Sequence, residues 1–388
     1  MTFETNENKV LLITNIPTPY RIPLFNELSK QLQGMGLKLK IVFGALGYAR
    51  RQWVVDMTEC KFEFTVLPSK KIIFGNPDTT IFSYSKLFRL ISDETPSIFI
   101  TTGFSLATIK LWVRSWTKET SYIIWSGAIQ RKGRGDSLWY RKLIRRILIK
   151  RACGFIAYGT NAKEYLASLG ADPNRVQVGI NTVDTKYFKD ETEKIRHKLV
   201  PNQTLKYLLY IGYLTERKRV DQLLYVIKVL QNKRKDFILE IVGSGPEIEK
   251  LKNLSKELNI IDFVKFEGFK QKHDIPNYLA KADCLLFPTD YDIWGLVLVE
   301  AMAAGLPCIA SIHAGATNDL IKDGVTGFAM GFSETEKVAE RINWILDNPE
   351  LRNRIGENAK RFIEENATLQ KSVYGFVNAI KRALDRGV

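Results

Sequence analysis

Residues 283 to 310 constrain the architecture of this chain more than any other stretch. Asp283-Cys284-Leu285-Leu286-Phe287-Pro288 reads as a buried parallel strand stopped by proline, and Leu306-Pro307-Cys308-Ile309-Ala310 reads as the next one. Between them lie a loop and a helix, so the unit is strand, loop, helix, strand. A helix that starts after such a loop leaves about four backbone amides without intrahelical partners. The amides from Trp294 to Val297 therefore offer a site for an anion such as a phosphate. Asp292 falls just outside the helix, and Glu300, eight positions on, about a turn and a half inside it. One carboxylate thus reaches each end of a ligand draped across the helix start.

Alternating strands and helices run through the rest of the chain. Strands are expected at 9–14, 38–43, 97–101, 122–125 and 154–158, with helices near 20–33, 104–116, 137–151 and 161–168. The same alternation resumes from Tyr207, and it implies α/β architecture with parallel sheets covered by helices on both faces. A chain of 388 residues has room for two domains, each with its own core. The polar stretch 181–204, with Pro201 near its end, is the best linker between a first domain (1–180) and a second (205–366). At 367–388, Val373, Tyr374, Phe376, Val377, Ile380 and Leu384 form an apolar stripe on a final helix that must pack on something. The N-terminus lacks the basic start and apolar core of a signal peptide, and no apolar run approaches the ~18 residues of a membrane span, so a cytoplasmic location is expected. Cys60, Cys153, Cys284 and Cys308 are widely separated, the last three in apolar surroundings, and read as reduced thiols.

Charge is distributed unevenly. Residues 1–180 hold 26 Lys and Arg against 13 Asp and Glu, whereas residues 181–388 hold 31 against 29. Within 131–151 nine basic residues (Arg131, Lys132, Arg134, Arg141, Lys142, Arg145, Arg146, Lys150 and Arg151) meet one acid, Asp136. A helix over 137–151 places Trp139, Tyr140, Leu143, Ile144, Ile147 and Leu148 on one face and Arg141, Lys142, Arg145, Arg146 and Lys150 on the other. One reading packs the stripe on the first domain's core and leaves the basic face solvated. The other rests the surface on anionic lipid, and the nearby Trp112, Trp116, Lys110 and Arg114 favour it. Nucleic acid is not an expected partner, because no zinc spacing, helix-turn-helix or RNA-binding signature accompanies the charge.

Further segments extend the pattern around Asp292 and Glu300. They are Tyr210-Ile211-Gly212-Tyr213-Leu214 with Lys218-Arg219-Val220-Asp221, Leu239-Glu240-Ile241-Val242-Gly243-Ser244-Gly245-Pro246, Val264-Lys265-Phe266-Glu267-Gly268-Phe269, and Asp319 to Gly327. In this order, over residues 205 to 330, they resemble the retaining nucleotide-sugar glycosyltransferases of glycosyltransferase family 4, whose paired-glutamate signature the two carboxylates resemble. The resemblance implies the GT-B fold: two Rossmann-like parallel-sheet domains facing across a cleft, an acceptor-binding first domain, a donor-binding second one, and a final helix crossing back to the first. Ile180-Asn181-Thr182-Val183-Asp184 resembles the family's hinge, with Thr182 where glycine is usual.

A nucleoside diphosphate sugar builds charge on its leaving group as the glycosidic bond breaks, so its site needs cations and amides aimed at the phosphates. By the resemblance Lys218 is the main cation, with Arg217 or Arg219 assisting, and Gly212 lets backbone approach the phosphates. Glu300 accepts hydrogen bonds from the ribose, Asp292 contacts the donor sugar near the reacting carbon, and Tyr213, Gly243, Phe269, Ile293, Trp294, Gly295 and Leu296 complete the donor set. The plainer alternatives are an exposed basic loop and an exposed Glu300, although burial of Glu300 among Leu298, Val299 and Ala301 would be costly without a partner.

Departures from the family pattern bear on the site. Asp292 is one methylene shorter than the usual glutamate, and Tyr213 stands where arginine is usual, a loss that Arg217 can offset. His197, His273 and His313 all lie outside the first domain, where relatives often have a histidine on the donor sugar; the matching strand end offers Ser126 instead. Pro17-Thr18-Pro19-Tyr20-Arg21 replaces a glycine-rich turn. Tyr20 and Arg21 either face the cleft, with Arg21 on donor phosphate or an anionic acceptor, or merely precede a helix begun by Pro19. Asp290-Tyr291-Asp292 mimics a metal-binding Asp-x-Asp triplet, but the GT-B context implies no metal and no cofactor beyond the donor substrate.

The expected function is transfer of a hexose-type sugar, with retention, to a hydroxyl of a lipid-linked or lipopolysaccharide-like glycan in surface polysaccharide assembly, peripherally at the inner face of the cell membrane. A soluble small-molecule acceptor and a non-catalytic GT-B partner subunit remain the alternatives.

Overall fold

The computed structural model describes residues 8–47, 52–73, 80–84, 86–94, 96–130, 139–199 and 204–385. Residues 1–7, the bases Arg131, Lys132 and Arg134 with the acid Asp136, and 200–203 of the polar stretch lie outside the described residues. Two compact units emerge, Met1–Asn181 with Leu369–Val388, and Thr182–Thr368.

In the first unit the strands are β1 (Lys9–Thr14), β2 (Lys38–Phe43), β3 (Glu63–Val66), β4 (Ser69–Ile73), β5 (Thr80–Tyr84), β6 (Ile98–Thr102), β7 (Tyr122–Ser126), β8 (Gly154–Ala157) and β9 (Val176–Val178). The helices are α1 (Ile22–Gln33), α2 (Leu87–Glu94), α3 (Leu106–Arg114), α4 (Trp139–Lys150) and α5 (Thr160–Ser168). β4 and β5 form an antiparallel hairpin, and the others build one parallel sheet in the order β3-β2-β1-β6-β7-β8-β9. β1, β6, β7 and β8 are buried on both faces, which is why they read as continuous apolar runs rather than alternating ones.

The second unit contains α6 (Thr185–Arg196), β10 (Lys206–Ile211), α7 (Val220–Leu230), β11 (Phe237–Val242), α8 (Ile248–Glu257), β12 (Val264–Gly268), α9 (Ile275–Lys281), β13 (Cys284–Phe287), α10 (Leu296–Ala303), β14 (Cys308–Ser311), α11 (Thr317–Leu320), β15 (Phe328–Met330), α12 (Thr335–Asp347) and α13 (Pro349–Asn366). Its parallel sheet runs β12-β11-β10-β13-β14-β15. The last helix, α14 (Leu369–Leu384), belongs to the first unit, where Phe376 meets the Trp125 ring at 4.9 Å and the apolar stripe buries Val373, Phe376 and Ile380.

Each sheet has one place where neighbouring strands leave in opposite directions along the order, between β1 and β6 and between β10 and β13. The loops at the carboxyl ends of those strands splay apart, and ligands of open α/β sheets bind there.

Three expectations need correction. The stretch taken as a linker holds α6, begun by Asp184, whose carboxylate accepts from the Tyr187 amide at 3.1 Å. Arg196 at the end of α6 donates to the carbonyls of Ala304 (2.6 Å), Leu279 (3.3 Å) and Ala280 (3.4 Å), capping the C-terminal ends of α9 and α10. A charged sequence hides this helix, because only Thr185, Phe188 and Thr192 are buried on it. Pro19 does not start α1; the helix begins at Ile22 with Pro23 in its first turn, after a turn in which the Arg21 amide bonds Thr18 O. Cys284 and Cys308 are buried as expected, but Cys153 is only half-buried and its thiol donates to Tyr122 O.

Candidate active site

The β10–β13 switch point gathers the second unit's charged residues. After β10 the chain passes Gly212 and Tyr213 into a single turn, Glu216–Lys218, which brings Lys218 back over the sheet. Lys218 is buried, with its ammonium 4.9 Å from the centre of the Phe287 ring and in a short hydrogen-bonded ion pair with Asp292. Arg217 lies 3.9 Å from the same carboxylate and donates to Tyr291 O at 2.8 Å, while its own carbonyl takes the Asp290 amide at 2.9 Å. The loop after β13 is therefore tied to the loop after β10 through backbone and side chain together. Burial pushes the Asp292 carboxyl up, but Lys218 and Arg217 outweigh it and hold the group below its usual range.

Arg219 takes a different role from the one the resemblance allowed. Its guanidinium bridges Asp221 (3.1 Å) and Asp290 (2.9 Å), and its φ of 50° marks the sharp reversal into α7. With both neighbours anionic it braces the loop, and Lys218 and Arg217 are the bases of this turn that meet Asp292. Asp290 and Asp292 consequently face different cations.

Gly295 opens α10 at φ 111°, a conformation that side chains resist, and a Cβ there would sit 2.9 Å from the Phe287 ring. The first-turn amides of Leu296 and Val297 have no intrahelical carbonyl to reach and point out of the helix start. Trp294 departs from expectation: its amide already donates to Asp292 Oδ1 at 3.3 Å, and its indole is buried with Nε1 unpartnered, so it serves as core beneath the loop. Ile293 is exposed beside it, and Gly315 N binds Asp292 O at 2.9 Å, clamping the loop from the far side.

Glu300 lies on the fifth residue of α10, just over one turn in. Burial pushes its carboxyl up to about 7, with Lys272 pulling the other way. Part of the residue surface remains exposed, yet among the described residues no hydrogen bond or ion pair reaches the carboxyl. It is a carboxyl short of donors.

The glycine turns bring the two neighbouring loops together. Gly243 has φ 150°, and a Cβ on it would stand 1.9 Å from Gly212 O, so the strand ends of β10 and β11 touch through backbone alone. Tyr213 and Phe269 are half-buried at the ends of β10 and β12. Two neighbours escaped the sequence reading. Tyr210 is fully buried with its hydroxyl unpartnered among the described residues, and burial and Asp292 push that hydroxyl up; the charge of Lys272 acts on the Glu300 carboxyl. An inward strand tyrosine and a loop lysine carry no pattern that distinguishes them.

In the first unit, Ser126 is buried at the end of β7, its hydroxyl accepting from the Ala128 amide at 3.1 Å. Arg21 is held by Thr14 and Tyr158, and Tyr20 packs edge-on against Trp53 with ring centres 6.1 Å apart. On α4 the apolar stripe does not enter the core. Trp139 is 73% exposed, and Tyr140, Leu143, Ile144 and Ile147 are also exposed; Leu148, expected among them, is buried with Ile149 and anchors the helix. Arg141 and Arg146 face solvent and Lys142 is half-buried. Arg145 is drawn instead to the Tyr165 hydroxyl, its guanidinium 5.3 Å from the Phe104 ring. No helix among the described residues is long and apolar enough to cross a membrane.

Comparison with known proteins joins these features. Residues 191–362 match the family model described as Glycosyl transferases group 1. N-acetyl-alpha-D-glucosaminyl L-malate synthase of Bacillus anthracis is 30% identical over 203 residues, 52% of each chain. The chain spans about half the length of the curated relatives it matches. HepE of Anabaena, solved with UDP and glucose, superposes with a TM-score of 0.75 at 17% identity, covering 97% of this chain and 100% of that one. WaaG, a glycosyltransferase involved in lipopolysaccharide biosynthesis, gives 0.67 at 17% identity over 94% and 97%. The two parallel-sheet units are those of the GT-B fold, and residues 191–362 carry the sequence of the group 1 glycosyl transferases.

Proposed function

We propose that this protein is a retaining glycosyltransferase that moves a hexose-type sugar from a nucleoside diphosphate to an acceptor hydroxyl. The observation that carries the reading is the convergence of Lys218, Arg217, Asp292 and the amide end of α10 at the β10–β13 switch point, inside the segment matched to the group 1 family. Cations and amides at one point suit a diphosphate whose charge grows as its bond to the sugar breaks. Lys218 leaves Asp292 for the phosphates when donor arrives, and Asp292, so released, is free to accept from sugar hydroxyls. Glu300, short of donors, takes the ribose hydroxyls. In the same-face route the acceptor oxygen bonds to the anomeric carbon, the bond from that carbon to phosphate oxygen breaks, and the acceptor proton passes to the leaving phosphate. No protein nucleophile is needed.

The reaction is proposed to need no metal, since the cationic side chains supply the charge the leaving group requires and the carboxylates of Asp290 and Asp292 are engaged by Arg219 and Lys218. Activity abolished by chelator and restored by magnesium or manganese would refute this. The acceptor is proposed to be a lipid-linked or lipopolysaccharide-like glycan at the inner membrane face. The exposed stripe of α4 beside Arg141 and Arg146 supports a resting place on anionic lipid, and WaaG's role in lipopolysaccharide biosynthesis points the same way. A soluble acid acceptor is the second reading, favoured by the malate in the name of the Bacillus anthracis relative.

Thermal-shift and hydrolysis screening against uridine, guanosine and adenosine diphosphate sugars tests the proposal. One donor should stabilise the wild type and be hydrolysed slowly, with both effects lost in Lys218→Ala and Glu300→Ala. If no donor binds, the active-enzyme reading weakens and that of a non-catalytic GT-B partner moves to the front.

A further inference from the structure

The first unit has a switch point of its own, between β1 and β6, and beside it lies Arg21, a cation that meets no carboxylate among the described residues. Arg21 follows the loop from β1 and immediately precedes α1. Its Nη1 donates to Thr14 Oγ1 at 3.1 Å, at the carboxyl end of β1, and its Nη2 donates to the Tyr158 hydroxyl at 2.6 Å, just past β8. The guanidinium carbon lies 4.5 Å from the centre of the Trp125 ring and 5.8 Å from that of Tyr20. Both hydrogen-bond partners are neutral hydroxyls, and among the described residues no carboxylate pairs with Arg21. Of its five N–H donors these contacts use two, and Nε is buried without a partner. The Thr18 hydroxyl in the same turn and the Trp125 indole nitrogen are likewise buried and unpartnered.

Three arginines of the second unit are completed by oxygen acceptors instead. Arg219 and Arg234 each meet two carboxylates, and Arg196 meets three helix-end carbonyls. A desolvated guanidinium is stable when an anion completes it. Held over an indole by two hydroxyls, the fork of Arg21 is oriented in advance, and a planar fork matches the paired oxygens of a carboxylate or phosphate. Its place at the carboxyl ends of β1, β7 and β8 is where open parallel sheets take ligands.

We infer that Arg21 forms an oxyanion subsite in the first unit, taking a phosphate or carboxylate group carried by the acceptor. The inference rests on the transferase reading for the word acceptor, and on Arg21, Thr14, Tyr158 and Trp125 alone for the site. A bare hydroxyl sugar would leave the guanidinium uncompleted; a phosphorylated or acidic acceptor would not.

The test is calorimetric titration of the full chain, saturated with UDP to fill the second unit, with inorganic phosphate and with succinate at constant ionic strength. Wild type should bind one probe or both. Binding should weaken by about tenfold or more in Arg21→Gln and less in Arg21→Lys, which keeps charge and loses the fork. UDP affinity should stay within about twofold of wild type in each variant. Phosphate alone binding assigns a phosphorylated acceptor, succinate alone an acidic one, and both a subsite for either. Should Arg21→Gln melt out, Arg21→Lys and Tyr158→Phe decide: a purely structural Arg21 would lower the melting temperature and leave probe affinity unchanged, overturning the inference. Failure of both probes to bind wild type, or equal binding by Arg21→Gln, also overturns it. Failure of UDP to bind would sink the donor reading separately, and the dependence on Arg21 is then read without UDP.

Discussion

Glu300→Gln should make the protein more stable in mild base while disabling it. Burial pushes the Glu300 carboxyl up to about 7 from an ordinary 4.5. The folded state therefore keeps this proton to a higher pH than the unfolded chain does. Its contribution to stability is fully present below pH 4.5 and is lost as the pH rises through 7. At ~1.4 kcal/mol per pH unit the full difference sets a ceiling of about 3 kcal/mol, and the part-exposed surface of the residue reduces this to roughly 1–2 kcal/mol. Glutamine has no proton to lose. The stability gap between Glu300→Gln and wild type should therefore widen in the variant's favour by roughly 1–2 kcal/mol between pH 4.5 and pH 8, or about 2–8 °C in melting temperature for a unit of this size. Urea and thermal unfolding at the two pH values, without donor, measure it. The same variant should lose about tenfold or more in donor affinity, because a neutral amide accepts ribose hydroxyls less well than a carboxylate. A gap that stays constant with pH, or a variant less stable than wild type only at pH 8, would refute the reasoning, since it would mean that the carboxyl is already satisfied.

Lys218→Ala should cost roughly 2–3 kcal/mol in urea unfolding, because it leaves the largely buried Asp292 carboxylate to the more distant Arg217 and the Trp294 amide, and the double change Lys218→Met with Asp292→Leu should recover much of that without recovering donor binding. A single variant as stable as wild type would mean the pair is solvated. Gly243→Ala should destabilise the second unit by more than about 2 kcal/mol, because its Cβ would meet Gly212 O at 1.9 Å on a backbone at φ 150°; unchanged melting would disprove that close approach. Changing Trp139, Leu143 and Ile144 together to Ser should abolish sedimentation with anionic vesicles and leave the melting temperature within about 2 °C, since these side chains are exposed. A large loss of stability would place the stripe in a core contact instead.

Much of the site was legible because its chemistry is local. Asp292, Gly295 and Glu300 sit within one strand–loop–helix unit, so spacing alone put two carboxylates around a helix start. The strand β1 was found to the residue because its middle is an unbroken apolar run, and β2 because its buried Leu39, Ile41, Val42 and Phe43 are interrupted only by Lys40 after the exposed Lys38. Where local composition opposed the tertiary role the reading failed. The charged segment of α6 was read as a linker, and it is a helix whose last arginine caps α9 and α10. Arg217, Lys218 and Arg219 are three adjacent bases in sequence, and no pattern separates the one that braces a loop from the one that meets Asp292. Strand order makes that distinction, by bringing residue 290 beside residue 219 and residue 292 beside residue 218.

The sequence by itself determined the α/β class, the two carboxylates at a helix start, the basic first half and the amphipathic pattern of α4, since each depends on residues close along the chain. Tertiary structure alone decided which faces found partners. It left the α4 stripe exposed while burying Trp294, tied Asp292 to Lys218, and set Arg21 on Trp125 between Thr14 and Tyr158 with no carboxylate beside it among the described residues. The physical reason is that burial and ion pairing are properties of neighbours in space, and in a parallel sheet those neighbours are tens to more than a hundred residues apart along the chain.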